Sequence, residues 1–189
     1  MNTPNKLTLL RVIIVPVFLS FLLIKQIPYH YIFALIFFVG ASITDYLDGY
    51  LARKNNQVTT FGKFLDPLAD KVLVISAMVC FIELGMSSSI AVIIIIAREF
   101  MVTSLRLVAM TEDGKVISAS MIGKVKTVIQ MIAVITILVM LSANDLFTLP
   151  SWININLIGR ILMTIAALIT VISGLEYLLK NKTSVNTTK

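Results

Sequence analysis

The stretch TDYLDGYLARKNNQVTTFGKFLDPLAD, residues 44–70, places four aspartates in a strongly apolar chain. They are Asp45, Asp48, Asp66 and Asp70. Of the 189 residues, 58% are hydrophobic and 14% are charged, whereas soluble domains are nearer half apolar and a quarter charged. Repeated apolar runs near twenty residues indicate membrane-spanning helices. The fold must therefore accommodate four carboxylates beside a bilayer.

Six apolar segments predict an all-α, polytopic membrane protein with six transmembrane helices. The third segment reaches a spanning length only if its helix begins near Asp66. We expect residues 1–189 to form one membrane domain, with a short amphipathic segment at 1–8 and a disordered polar tail from about 181 to 189. The six segments are residues 9–24, 31–51, 72–84, 90–109, 125–141 and 153–179.

The distribution of Lys and Arg predicts the orientation of the chain. Most basic residues fall on one side of the six predicted spans, and Lys25 falls on the other. Because cytosolic loops carry an excess of basic residues, we expect both termini and the aspartate loop at the cytosolic face of the cell membrane. In so apolar a chain, the net charge of +6 indicates anionic lipids and phosphate-bearing substrates, not nucleic acid.

The cysteine and histidine content argues against redox and zinc chemistry. Cys80 is the single cysteine of the chain, so no disulfide framework and no thiolate metal site is expected. His30 stands at the start of a predicted span, where an interfacial residue is more usual than a metal ligand.

The aspartate spacing predicts a metal site. Asp45 and Asp48 lie three residues apart, and Asp66 and Asp70 lie four apart, so on helices each pair shares one face. Two helices joined by a short turn are antiparallel neighbours, and the acidic faces can then converge. Bridging Lys or Arg side chains are one possible compensation. Divalent ions are the better one, because carboxylates without His or Cys prefer Mg²⁺ or Mn²⁺.

Four carboxylates suit two metal ions about 3.5–4 Å apart, an arrangement used in phosphoryl displacement. Small residues beside them leave room for a bulky ligand, although each alone would be explained by helix packing. These residues are Gly49, Ala52 and Gly62. Together with the acids they predict a pocket.

The same residues give the chain a family resemblance. It resembles the CDP-alcohol phosphatidyltransferases, whose signature is Asp-x2-Asp-Gly-x2-Ala-Arg-x8-Gly-x3-Asp-x3-Asp. Three outer motifs are similar to those of family members that use glycerol 3-phosphate: PNKLTLLR at 4–11, IAREF at 96–100 and GKVKT at 123–127. The signature positions in this chain are Asp45, Asp48, Gly49, Ala52, Arg53, Gly62, Asp66 and Asp70.

The resemblance implies a reaction and roles for these residues. The phosphatidyl group of CDP-diacylglycerol would pass to glycerol 3-phosphate, with release of CMP, in a protein that is commonly a homodimer. The four aspartates would hold two Mg²⁺ or Mn²⁺ ions, and Asp70 would also be the catalytic base. The residues expected to bind CDP-diacylglycerol are Asn5, Thr8, Asp48, Gly49, Ala52, Arg53 and Gly62.

The phosphate of the acceptor requires cations. Arg98 is the most informative candidate, because an unpaired Arg inside a span is costly. A pair with Glu99 is the alternative, although adjacent helix residues are not expected to face each other. Lys126 could instead extend to the membrane surface, and Arg160 is expected to be structural. The expected glycerol-3-phosphate-binding residues are Arg98, Arg106, Lys124 and Lys126.

Other functions remain open on the sequence. Within the same class, the acceptor could be phosphatidylglycerol, inositol phosphate or serine. In a different class, the carboxylates could line a divalent-cation transporter. A transporter needs a polar path across the bilayer, and the extracytosolic halves of the second and third spans offer little polar lining.

Overall fold

A computed structural model describes residues 3–54, 60–112, 120–147, 149–150 and 152–180. Within these, side chains are described for residues 12–44, 71–106 and the described residues from 120 onward. The described chain is helical and contains no strand, which confirms the all-α prediction, and each predicted span corresponds to one helix. The helices are α1 (Thr3–Leu23), α2 (His30–Lys54), α3 (Thr60–Glu83), α4 (Ser89–Glu112), α5 (Met121–Phe147) and α6 (Ile155–Lys180).

Two helices, α5 and α6, are long and apolar enough to cross a membrane within the part of the chain that the structure describes. Shorter apolar stretches lie at Val12–Leu23 in α1 and His30–Thr44 in α2. These features indicate a membrane protein. The count of six spans and the cytosolic termini stay predictions, and the tail at 181–189 lies outside the described residues.

Helices α3 and α5 each pack against three other helices. Helix α5 contacts α2, α3 and α6, while α1 packs on α2 and α3, and α4 packs on α3 and α6. Large apolar side chains fill the core, among them Phe18 and Phe38, whose ring centroids are 5.6 Å apart. The two helices that carry the aspartate pairs, α2 and α3, therefore both pack against α1 and α5.

The turn between α3 and α4 packs closely on α6. Gly85 takes a positive φ of 75°, a conformation that glycine adopts without steric cost. Its carbonyl oxygen accepts a hydrogen bond of 3.0 Å from Arg160 Nε, a contact that gives Arg160 a structural role. His30 is buried, and its Nδ1 donates to the Phe21 carbonyl oxygen at 3.0 Å. Cys80 is buried and forms no disulfide.

Candidate anion-binding site

A cavity of about 210 Å³ lies between α3, α4 and α5 and is rich in positive charge. All four residues expected to bind the acceptor phosphate line it, together with one more lysine and a single glutamate. The balance is five basic side chains against one carboxylate, so the cavity favours an anion. Its charged lining residues are Lys71, Arg98, Glu99, Arg106, Lys124 and Lys126.

Glu99 is the common partner of three of these cations. Its carboxylate bonds directly to Lys126 Nζ, and Arg98 Nη1 and Lys71 Nζ lie 3.5 and 3.6 Å from it. Lys126 is only 2% exposed, so it turns inward and does not extend to the membrane surface. A charge buried this deeply requires a partner, and Glu99 supplies it.

Arg98 crosses from α4 to α6. Its Nη2 donates to Ser173 Oγ at 2.6 Å, and its side chain passes over Gly174, where an added Cβ would lie 3.1 Å from Arg98 Cγ. The expectation that Arg98 and Glu99 do not meet is wrong. Both side chains are long enough for their charged ends to approach each other beside Lys126, although their Cβ atoms diverge.

Two guanidinium groups each have a buried donor without a partner among the described residues. The Nε atoms of Arg98 and Arg106 are buried and have no hydrogen-bond partner among the described residues. Buried donors in native proteins are usually paired. Arg106 also lies over the ring of Tyr177, 5.6 Å from its centroid, and Lys124 lines the cavity with an exposed side chain. An anion in the cavity would be surrounded by the basic side chains that line it.

Lys71 is a cavity residue that the sequence did not single out for this site. Its Nζ donates to Thr103 Oγ1 and, at 3.4 Å, to the Glu99 carbonyl oxygen. It is one of the lysines close enough to the aspartates in sequence to bridge carboxylates. It follows Asp70 directly on α3. This position next to an aspartate is the one feature of the sequence that could have indicated that Lys71 lies near the site.

The beginning of α5 is held by α6. Ser120 Oγ accepts a hydrogen bond of 3.1 Å from Gly123 N, as an N-cap does. The same hydroxyl donates to Glu176 Oε2 at 2.8 Å, and Lys180 Nζ lies 2.5 Å from Glu176 Oε1. This link fixes the turn of α5 that carries Lys124.

The expected metal and CDP-diacylglycerol residues lie outside the described side chains. Asp45 and Asp48 lie on α2, and Asp66 and Asp70 lie on α3. As hard oxygen donors on helices, the two pairs suit Mg²⁺ or Mn²⁺. The described side chains, which do not include those of the aspartates, contain no group of three or more His, Cys, Asp or Glu that could hold a metal ion. The other residues in question are Asn5, Thr8, Gly49, Ala52, Arg53 and Gly62.

Fold and cavity together define a class: an all-helical membrane protein with a cationic cavity between its helices. The sequence model of the CDP-alcohol phosphatidyltransferase family matches residues 1–172. The chain belongs to this family.

Similar proteins match nearly the whole chain. It is 41% identical over 191 residues to the CDP-diacylglycerol–glycerol-3-phosphate 3-phosphatidyltransferase of Bacillus subtilis (strain 168), with 95% of each chain covered. A protein of the same name from Rickettsia bellii is 39% identical, with 93% of each chain covered. A third, from Haemophilus influenzae, is 41% identical, with 94% of this chain and 91% of the relative covered.

Proposed function

We propose that this chain transfers the phosphatidyl group of CDP-diacylglycerol to glycerol 3-phosphate, giving phosphatidylglycerophosphate and CMP. The observation that carries the proposal is its similarity to proteins named for this reaction, with 91% or more of each chain covered. Family membership accounts for the CDP-linked donor. The cationic cavity accounts for an acceptor that carries a phosphate.

The acceptor phosphate binds in the cavity between α3, α4 and α5. Arg98, Arg106, Lys124 and Lys126 hold the phosphate, and Lys71 adds a fifth positive charge. Charge-assisted hydrogen bonds from Arg and Lys to phosphate are among the stronger polar contacts in proteins. Serine carries no phosphate and would leave this charge uncompensated, so the lining favours a phosphate monoester.

The donor binds at the aspartates on the cytosolic side. Asp45, Asp48, Asp66 and Asp70 hold two divalent ions, Mg²⁺ or Mn²⁺, as hard oxygen ligands. When bound, such ions neutralise the diphosphate and stabilise the charge that grows on the departing oxygen. Arg53 contacts the diphosphate. The small residues of the signature and the segment with Asn5 and Thr8 accept the cytidine.

Asp70 takes the proton from the primary hydroxyl of glycerol 3-phosphate. The hydroxyl oxygen forms a bond to the lipid-side phosphorus, and the bond from that phosphorus to the CMP oxygen breaks. CMP leaves with the bonding electron pair, and the lipid product stays in the bilayer. Lys71 lines the cavity and follows Asp70 in the chain, which supports a short path between the acceptor and the base. The working unit is a homodimer in the cell membrane.

The decisive experiment measures CMP release from CDP-diacylglycerol by the purified protein with Mg²⁺ or Mn²⁺. Glycerol 3-phosphate, serine, inositol phosphate and phosphatidylglycerol are offered in turn. We expect release with glycerol 3-phosphate alone, and its loss when EDTA is added. In the same assay Asp70→Asn should abolish turnover and retain binding of CDP-diacylglycerol.

Release with another acceptor would retain the family chemistry and overturn the proposed acceptor. Release with none of them, combined with Mg²⁺ flux into liposomes containing the protein, would favour a transporter. Near wild-type turnover by Asp70→Asn would show that another group takes the proton.

A further inference from the structure

Gln130 is an uncharged polar residue in the lining of the cavity. It lies on α5, one helical turn beyond Lys126, and is only 4% exposed. Its Nε2 donates a hydrogen bond of 3.1 Å to Thr170 Oγ1 on α6. Around it the cavity is lined by apolar side chains such as Met78 and Met131. A buried amide among apolar groups requires a reason, because each unpaired polar atom is costly.

The orientation of the Gln130 amide follows from its partner. Thr170 Oγ1 lies 2.6 Å from the Ala166 carbonyl oxygen and donates its proton there. A threonine hydroxyl has one proton, so toward Gln130 it can only accept. The amide must present its NH₂ group to Thr170, and its carbonyl oxygen, Oε1, is turned away. Among the described residues no donor bonds to Gln130 Oε1.

The other uncharged polar groups of the lining have used their protons. Thr127 Oγ1 donates to the Gly123 carbonyl oxygen at 3.2 Å, and Thr103 Oγ1 donates to that of Glu99 at 2.7 Å. The Glu99 carboxylate is engaged by cations. Among the side-chain amide and carboxylate oxygens of the described lining, Gln130 Oε1 is thus the one that can still accept a hydrogen bond from a ligand.

We propose that Gln130 determines specificity by accepting a hydrogen bond from the secondary hydroxyl of a three-carbon phosphate acceptor, and that Thr170 is its positioning residue. This inference rests on the proposed function, in which the primary hydroxyl is consumed by the reaction. Lys126 and Gln130 are four residues apart, a rise of about 6 Å along α5. A phosphate held at Lys126 thereby brings the secondary hydroxyl of the same molecule within reach of Gln130.

The test compares two acceptors that differ by one hydroxyl. Glycerol 3-phosphate has both hydroxyls, and 3-hydroxypropyl phosphate retains only the primary one. We expect the wild-type protein to have the higher kcat/KM with glycerol 3-phosphate. Gln130→Met keeps the side-chain volume and removes the acceptor oxygen. It should lower kcat/KM for glycerol 3-phosphate about tenfold and leave the value for 3-hydroxypropyl phosphate nearly unchanged.

A second variant tests the positioning role without altering Gln130. Thr170→Val removes the hydroxyl that orients the amide, and it should reduce the preference for glycerol 3-phosphate about threefold. Thr164→Val is the matched control on the same helix, because Thr164 is exposed and its hydroxyl donates only to the Arg160 carbonyl oxygen at 2.7 Å. The control should retain the wild-type preference.

The inference would be overturned if Gln130→Met or Thr170→Val lowered kcat/KM equally for both acceptors. A structural defect alone would reduce both values, whether or not the acceptor carries the secondary hydroxyl. A wild-type protein that uses the two acceptors equally well would overturn it too. A wild-type protein that uses neither would overturn the proposed function and this inference with it. Failure of the proposed function can be distinguished from failure of this inference alone, because it would already be seen with the wild-type protein.

Discussion

Glu99 shows how one residue organises a cationic site. A single carboxylate lies among Lys126, Arg98 and Lys71, all in contact with a cavity that has no other acid among its described lining residues. The carboxylate keeps the three cations close together despite their mutual repulsion. It also leaves a net positive charge for a ligand to neutralise. Glu99 is therefore the counter-ion of these cations, and a phosphate that binds in the cavity would compete with it for them.

Glu99→Gln should destabilise the protein by about 3–5 kcal/mol, because it leaves Lys126 as a buried cation without its carboxylate. We expect a lower midpoint of thermal unfolding in detergent. Inorganic phosphate should raise that midpoint more in the variant than in the wild type, since an anion that binds the native state takes the place of the lost charge.

The matched control is Glu83→Gln at the exposed end of α3, which should unfold as the wild type does. An unchanged midpoint for Glu99→Gln, or an equal response to phosphate in both proteins, would contradict the counter-ion role of Glu99.

At the scale of helices, the placement of α6 depends on a close approach. A Cβ added at Gly159 would lie 2.8 Å from Met86 Cβ and 3.0 Å from the Met86 carbonyl oxygen. The second contact is with backbone, which cannot rotate away as a side chain can. The same helix supplies Ser173, Gly174 and Thr170 to the neighbourhood of the cavity, so its position affects the site.

Gly159→Ala should destabilise the protein by about 1–3 kcal/mol through overpacking, measured as a lower unfolding midpoint. Gly40→Ala on α2 is the control, because its added Cβ has no atom of the described residues within 4 Å apart from the backbone of its own helix. Alanine is favoured over glycine in helices by about 1 kcal/mol, so the control should be neutral or slightly stabilising. Equal midpoints for the two variants would show that α6 can shift away from Met86 at no cost.

At the scale of the whole molecule, orientation in the bilayer connects the chemistry to its substrates. CDP-linked lipid and glycerol 3-phosphate are charged and approach from the cytosol in the proposed reaction. The positive-inside distribution predicts that the aspartate loop and both termini lie on that side. It predicts that the loop containing Gln26, between α1 and α2, lies on the opposite side.

Cysteine labelling tests this orientation. In intact cells a membrane-impermeant maleimide should label Gln26→Cys, whose site is exposed, and should leave Asn186→Cys unlabelled until the cells are permeabilised. Background from Cys80 should be small because that residue is 8% exposed. Labelling of Asn186→Cys in intact cells would show that the C-terminus lies outside the cytosol.

The sequence alone was sufficient to predict the six helices, the acidic signature and the set of basic residues. Apolar runs and residue spacing are local properties, so all six helices were located. The helix ends were less predictable, because α1 and α3 begin well before their apolar runs, at Thr3 and Thr60, and α5 continues beyond its run to Phe147. The Arg and Lys residues were identifiable because charge inside an apolar helix is costly. Family membership, too, follows from spacing that is visible in residues 45–70.

The partners of those charges could not be predicted from the chain, because they depend on how the helices pack. Glu99 is 27 residues from Lys126, and Arg98 is 75 residues from Ser173; such pairs meet only after α4, α5 and α6 have come together. The inward turn of Lys126 and the orientation of Gln130 follow from the same packing. Burial then determines which partner each polar side chain has. A polar group removed from water adopts the conformation in which another helix supplies a hydrogen-bond or ion-pair partner.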